Sequence, residues 1–423
     1  MEMTPSQATG VAKIHDLLAN GRRLATLAGA AGTGKTAILS CLADDLPDVV
    51  VCTPTNKAAQ VLISKGIFAQ TFFKTFYILE EKKQRGIKPR FISCRRMLET
   101  IALARGGDWR DYEHMLPEGK RAWSDTIIID EASMVTTRMA REMMTMCKSL
   151  VLVGDRHQLP PVGDADSPAG FFSTLKHDVE LTEVLRQAEG SMILQAATEV
   201  RDGSAKAERA LRFFNPEDSF ESWVNRDAKM VCYTNKERQR INHVVRRILG
   251  FDKPYPMVGD VMISTANYSD DLINGTECRV LDFDWDGRSD TALIRLDTGM
   301  KTLACRMSML AFAADQIQSQ TSRLEERGFD SNGEHKTDEE FAELTFGYCL
   351  TAHKAQGSEW PAVAMFDQRG LIRKIAANDD RSGLTPEEMV RRWTYTVITR
   401  ARKELAIAPT WWAAVPQQVF SME

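Results

Sequence analysis

Gly29-Ala30-Ala31-Gly32-Thr33-Gly34-Lys35-Thr36 is the stretch that decides the fold of this chain. Its glycines let the backbone curl so that N–H groups point at phosphate oxygens. Lys35 then reaches the outer phosphates, and the Thr36 hydroxyl can hold Mg²⁺. The flanks agree with that reading. Leu24 to Ala28 is a short apolar run expected as a buried strand entering the loop, and Thr36 to Leu46 is expected as a helix leaving it. Gly29, Ala30, Ala31, Gly32, Thr33, Gly34, Lys35 and Thr36 are therefore the candidate nucleotide-binding residues, and ATP with Mg²⁺ the expected ligands.

Outward from the loop, the first 190 residues alternate apolar runs with helical stretches, as at Asp48 to Thr53, Thr126 to Asp130 and Leu150 to Gly154. That alternation predicts a parallel sheet with crossover helices. It breaks between Leu79 and Ser124, a charged segment with Trp109, Tyr112 and Trp123 that is too long for an ordinary connection and predicts a small insertion. Seven basic residues fall between Lys82 and Arg96, a run that by charge alone is a solvated face. A second α/β unit is expected from the strand Met230 to Tyr233 and the basic helix Lys236 to Leu249, resuming at Leu344. Between them Gly259 to Cys305 is rich in Val, Ile and Thr, with turns at Asn274-Gly275, Asp286-Gly287 and Thr298-Gly299, and predicts a small β-barrel-like insertion.

At 423 residues, 43% of them apolar, the chain can fill two or three cores. No apolar stretch approaches bilayer length and the N-terminus has no cationic-then-apolar leader, so the expectation is no membrane and a cytoplasmic location. The eight cysteines are spread singly, without zinc-site spacing, and are expected as reduced thiols. A net charge of −4 neither supports nor excludes a polyanion partner, which would need a local basic stripe. No nuclease carboxylate cluster stands out.

Thr126-Ile127-Ile128-Ile129-Asp130-Glu131 is an apolar strand ending in two carboxylates, where open α/β sheets place ligand-binding groups. Asp130 is the candidate to hold Mg²⁺ through water, and Glu131 to orient or deprotonate an attacking water. A second strand, Val151 to Gly154, runs into Asp155-Arg156-His157-Gln158-Leu159-Pro160-Pro161, where Gln158 has the reach of a γ-phosphate sensor. Arg186 and Arg400 are candidates to neutralise charge on a transferring phosphoryl group, although read singly each is a surface salt-bridge partner.

In order, these segments resemble superfamily 1 helicases, specifically the 5′→3′ branch that includes RecD-like and phage Dda-like enzymes. The likeness runs through Thr53 to Ala59, the Asp130-Glu131 strand, Gly154 to Pro161, Val184 to Gln187, Tyr233 to Lys236, Leu350 to Glu359 and Tyr395 to Arg402. It implies two RecA-like P-loop domains with parallel sheets and ATP between them. The first comprises 1–78 and 125–205, interrupted by a wedge or pin subdomain at 79–124. The second comprises 206–250 and 344–423, interrupted by an SH3-like β insertion at 251–343. It also implies that Gln7 reads adenine, although alone it reads as a solvated residue opening a helix, and that Glu359 meets the ribose. Thr53, Pro54 and Asn56, with Asn235, Thr351 and His353, are implied as phosphate contacts to a strand. Phe72 and Phe73 are candidates for base stacking, with Phe73 standing where the family usually has histidine.

The implied activity is an ATP- and Mg²⁺-dependent helicase moving 5′→3′ on single-stranded DNA and opening forked duplex. It would act as a monomer, with a single-strand-binding or replication partner, in phage-type replication or recombination, in the host cytoplasm if phage-encoded. A translocase that strips proteins without separating strands, and a nucleotide-gated binding protein, are the alternatives.

Overall fold

A computed structural model describes residues 3–80, 90–161, 164, 166–183, 191–266, 268–269, 271–317, 341–379 and 383–413. Two compact units divide the chain, Met1–Leu194 with Ala376–Arg392, and Gln195–Ile375 with Trp393–Glu423.

In the first unit, among the described residues, six parallel strands form one sheet. They are β1 (Leu24–Gly29), β2 (Val49–Thr53), β3 (Gln70–Thr71), β6 (Ser124–Ile129), β7 (Cys147–Gly154) and β8 (Val179–Leu181), in the order β3-β2-β6-β7-β1-β8. Its apolar runs are continuous because both faces are covered. Ile128, Val151 and Val153 point to the core shared with Ile14, Ile38 and Leu62, while Ile127, Ile129, Leu150 and Leu152 point to the one shared with Phe72, Met143 and Phe172. The strand period of two thus splits neighbouring residues between two cores. Helices α1 (Pro5–Ala19) and α2 (Lys35–Asp45) flank β1, and α3 (Asn56–Ser64) follows β2.

Between Tyr77 and Trp123 the chain leaves this sheet. After the short helix α4 (Phe72–Phe76), strands β4 (Tyr77–Glu80) and β5 (Arg90–Ser93) pair antiparallel. Ser93 then caps α5 (Cys94–Arg105), and Asp108 caps a 3₁₀ turn at Trp109–Met115. Cys94, Leu98, Ala102, Trp109 and Ala122 form a separate small core. The Arg95 guanidinium lies 3.9 Å from the centre of the Trp109 ring, where the ring quadrupole attracts a cation.

The second unit holds a parallel sheet in the order β15 (Cys349–Thr351), β9 (Lys229–Cys232), β16 (Trp360–Asp367), β17 (Ala401–Pro409). It also holds a five-stranded antiparallel sheet from β10 (Val261–Ser264), β11 (Glu277–Asp284), β12 (Thr291–Asp297), β13 (Thr302–Ser308) and β14 (Leu344–Phe346), in the order β13-β12-β11-β10-β14. Gly275, Gly287 and Gly299 all take positive φ at the three expected turns. Leu344–Phe346, where the second α/β unit is expected to resume, pairs instead with β10. The chain then crosses to β15 at Gly347, where a Cβ would stand 3.1 Å from the Met262 carbonyl carbon. One core runs through both sheets, from Met230 and Phe366 to Met262, Ile294 and Phe346.

Candidate active site

The loop after β1 needs its glycines for two reasons. Gly32 and Gly34 sit at φ 81° and 77°, the left-handed region that side chains disfavour. A Cβ on Gly29 would meet the Thr33 hydroxyl at 2.6 Å. That hydroxyl is buried and donates to the Ala30 carbonyl at 2.9 Å, which holds the loop in its curl. Lys35 Nζ donates to the Gly29 and Ala30 carbonyls at 2.8 and 3.1 Å, so the ammonium is folded over the loop. No side chain caps α2 at its Gly34 end, which suits its first amides to an anion.

Asp130 stands one residue past β6, its N–H donating to the Cys52 carbonyl at 3.0 Å. Glu131 follows at φ 55°, an uncommon conformation for a non-glycine residue, and opens the 3₁₀ turn Ala132–Met134. Burial first, and then the neighbouring Glu131 carboxylate, push the Asp130 carboxyl up to about 6, while Lys35 and Lys65 pull it back down. The lysine of the loop and the two carboxylates therefore share one electrostatic environment. A carboxylate and the Thr36 hydroxyl are hard oxygen donors that suit Mg²⁺, which takes few protein ligands and completes its shell with phosphate and water. Among the described residues no group of three or more His, Cys, Asp or Glu residues is placed to hold a metal by itself.

Lys65 escaped the sequence reading. Its Nζ donates to Thr36 Oγ1 at 3.5 Å. A lysine just past the end of α3 has no motif around it, and only the packing of α3 brings it there.

Gln7 is buried, and it does more than open a helix. Its Oε1 accepts from Thr4 N at 2.9 Å in a capping box, and its Nε2 donates to the Thr33 carbonyl at 3.2 Å. The carboxamide thus ties the N-terminal helix to the phosphate loop. Gln158 is buried as well, and its Oε1 has no partner among the described residues. Arg186 lies outside the described residues.

Thr53, Pro54 and Asn56 stand together at the end of β2 and the start of α3. The Thr53 hydroxyl is buried and donates to the Thr55 carbonyl at 2.7 Å. Phe72 corrects the stacking expectation: it has 0% exposure and packs against Phe76 and Tyr77 in the core below the sheet, so no base can reach it. Both residues lie on the helix Phe72–Phe76, whose turn carries the neighbour to the outer face. Phe73 is 40% exposed, its ring centre 4.9 Å from that of Tyr77.

In the second unit, register places Thr351 opposite Cys232, three residues before Asn235, so both candidate contacts stand at the C-terminal edge of the parallel sheet. Asn235 is exposed and accepts from Arg238 Nε at 3.2 Å. Thr351 opens a short helix at Ala352–Ala355 without a side-chain cap bond. Burial lowers the His353 pKa and keeps its ring neutral. Glu359 is exposed. Arg400 is buried, with Nε on the Thr396 carbonyl, Nη1 on the Ser358 carbonyl and Nη2 on Thr399 Oγ1, at 3.0, 3.2 and 3.1 Å. Any role on a phosphoryl group requires that it exchange these bonds.

A phosphate loop after the first parallel strand, paired carboxylates at the end of β6, one strand removed from it in the same sheet, and a second parallel sheet define a P-loop nucleotide-binding protein. The family model described as AAA domain matches residues 2–222, just over half of the chain, and the chain belongs to that family. It is 26% identical over 444 residues to the ATP-dependent RecD2 DNA helicase of Deinococcus radiodurans, an alignment covering 96% of this chain and 50% of that protein. It is also 26% identical over 200 residues to the uncharacterized protein R530 of Acanthamoeba polyphaga mimivirus, covering 43% of this chain and 38% of that one. The chain thus spans half or less of the length of these curated relatives. In fold it is similar to the Pif1 helicase from Bacteroides in complex with ADP-AlF3 and ssDNA, with a TM-score of 0.54 at 18% identity over 99% of this chain and 95% of that one. The Pif1 helicase from Candida albicans gives a TM-score of 0.50 at 17% identity, over 96% and 95%.

Proposed function

We propose that this protein is an ATP-dependent DNA helicase that moves 5′→3′ along single-stranded DNA and opens forked duplex. The observation that carries the reading is the clustering of the Lys35 ammonium, the Thr36 hydroxyl and the Asp130-Glu131 pair at the ends of parallel strands. The alignment to a DNA helicase over 96% of the chain gives that cluster its context.

In this reading the loop amides and Lys35 hold the β- and γ-phosphates, and Gln7 fixes the loop from behind. Thr36, and Asp130 through water, would hold Mg²⁺, which when bound would supply charge neutralisation on the phosphates. Glu131 accepts the proton of the water that attacks the γ-phosphorus, and the bond to the β–γ bridging oxygen breaks to release ADP and phosphate. Thr53, Pro54, Asn56, Asn235, Thr351 and His353 contact strand phosphates, and Phe73 is the remaining candidate to stack on a base. The insertion at 79–124 is read as the wedge and the antiparallel sheet as its SH3-like brace. In the same reading the protein acts as a monomer in the cytoplasm with a single-strand-binding partner, and sedimentation with and without DNA checks the oligomeric state.

Two matched forks test it, one with a 5′ single-stranded tail and one with a 3′ tail, each with ATP and Mg²⁺. Strand separation is expected only with the 5′ tail, and Lys35→Ala is expected to cut ATP turnover by ~100-fold or more. Separation from the 3′ tail alone would overturn the direction. Hydrolysis without separation on either fork would overturn the helicase reading in favour of a translocase.

A further inference from the structure

Eight buried side-chain atoms lack a hydrogen-bond partner among the described residues, and five of them belong to Ser133, Gln158, Ser173 and His177. These four residues sit on segments packed against one another in the first unit. A Cβ on Gly154, at the end of β7, would stand 3.2 Å from Ser133 N and 3.1 Å from the Phe172 ring. The Phe172 ring centre is 4.5 Å from that of His177. A Cβ on Gly170 would lie 3.0 Å from Pro160 and 3.5 Å from Ser173 Oγ. Close glycine contacts therefore bind together the turn after Glu131, the loop carrying Gln158 and the helix Phe171–Thr174.

Unpaired buried polar atoms are expensive, and a native fold keeps them where they serve a second arrangement or a buried water. Here two of them are complementary. Ser133 carries a hydroxyl donor with no acceptor, two residues beyond the proposed general base. Gln158 carries an acceptor, Oε1, with no donor.

We propose that Ser133 is a positioning residue for ATP hydrolysis, its hydroxyl donating to Gln158 Oε1 directly or through one buried water in the hydrolysing state. The bond would tie the γ-phosphate sensor to the turn that aims Glu131. This rests on the proposed ATPase and assigns it a residue that touches neither nucleotide nor metal. Ser133 need not contribute to the resting fold, because its hydroxyl bonds none of the described residues.

Steady-state ATP hydrolysis and thermal unfolding of Ser133→Ala, Gln158→Ala and the double variant test it. Ser133→Ala is expected to lower kcat about tenfold with KM for ATP within twofold, and to leave Tm equal to or above that of the parent chain. On the Gln158→Ala background the same change is expected to add nothing, since the acceptor is already gone. A Ser133→Ala protein with unchanged kcat, an effect multiplicative with Gln158→Ala, or a loss confined to Tm would each overturn the inference while leaving the ATPase standing. A parent protein that does not hydrolyse ATP would overturn both.

Discussion

His177 shows how much a single side chain can reveal about the resting fold. Neither ring nitrogen has a partner among the described residues, and the ring packs tilted against Phe172 with 8% exposure. Burial lowers its pKa, Arg156 lowers it further, and Glu180 and Asp178 oppose the shift only in part. The folded state therefore binds a proton less readily than the unfolded chain, whose imidazole titrates near ~6.5. Its contribution is fully present above that pH and is lost as the pH falls below it. His177→Phe removes two unpaired atoms and keeps an aromatic ring, so it is expected to raise stability at pH 5.5 by about 1 kcal/mol or more. The gain shrinks at pH 7.5. Chemical denaturation at both values checks this, and an equal gain at the two would show that protonation plays no part.

At the scale of elements, the insertion between β3 and β6 has its own core and a cation–aromatic contact within it. Leu98 is fully buried there, one turn after the Ser93 cap of α5. Leu98→Ala is expected to cost ~2–5 kcal/mol, spent locally because Cys94, Trp109 and Ala122 belong to a cluster separate from those of the large sheet. ATP hydrolysis without DNA should then survive while fork opening falls at least several-fold. Loss of both activities together would show that the insertion is part of the ATPase fold.

For the whole molecule, the antiparallel sheet and the second parallel sheet form one cooperative body, since a single core crosses both. The Arg246–Asp260 pair fixes that body from inside. Both side chains are buried, 2.9 Å apart, and the guanidinium also donates to the Lys253 and Tyr255 carbonyls. Asp260→Asn leaves a buried cation uncompensated and is expected to cost about 3–5 kcal/mol. Calorimetry should show that loss in the transition of the second unit. Under the proposed function, ATP and Mg²⁺ are expected to stabilise the first unit by about 2.7 kcal/mol at a hundredfold excess over Kd, and that gain should remain. A uniform drop of one transition that also removes the nucleotide effect would contradict the division of the chain.

The sequence by itself determined what depends on local order. Glycine spacing at 29–36, an apolar strand ending in Asp130-Glu131 and turn pairs at 275, 287 and 299 are dictated by backbone freedom and by strand period, so the parallel sheets and the β-rich insertion were legible. What needed the tertiary structure was everything set by contacts across distance. The burial of Phe72 beside the exposed Phe73, the arrival of Lys65 at Thr36, the pairing of Leu344–Phe346 with β10 and the intraunit bonds of Arg400 leave no local pattern. Periodicity along a helix or a strand gives distinct faces, and only packing against the rest of the molecule decides which one is inside.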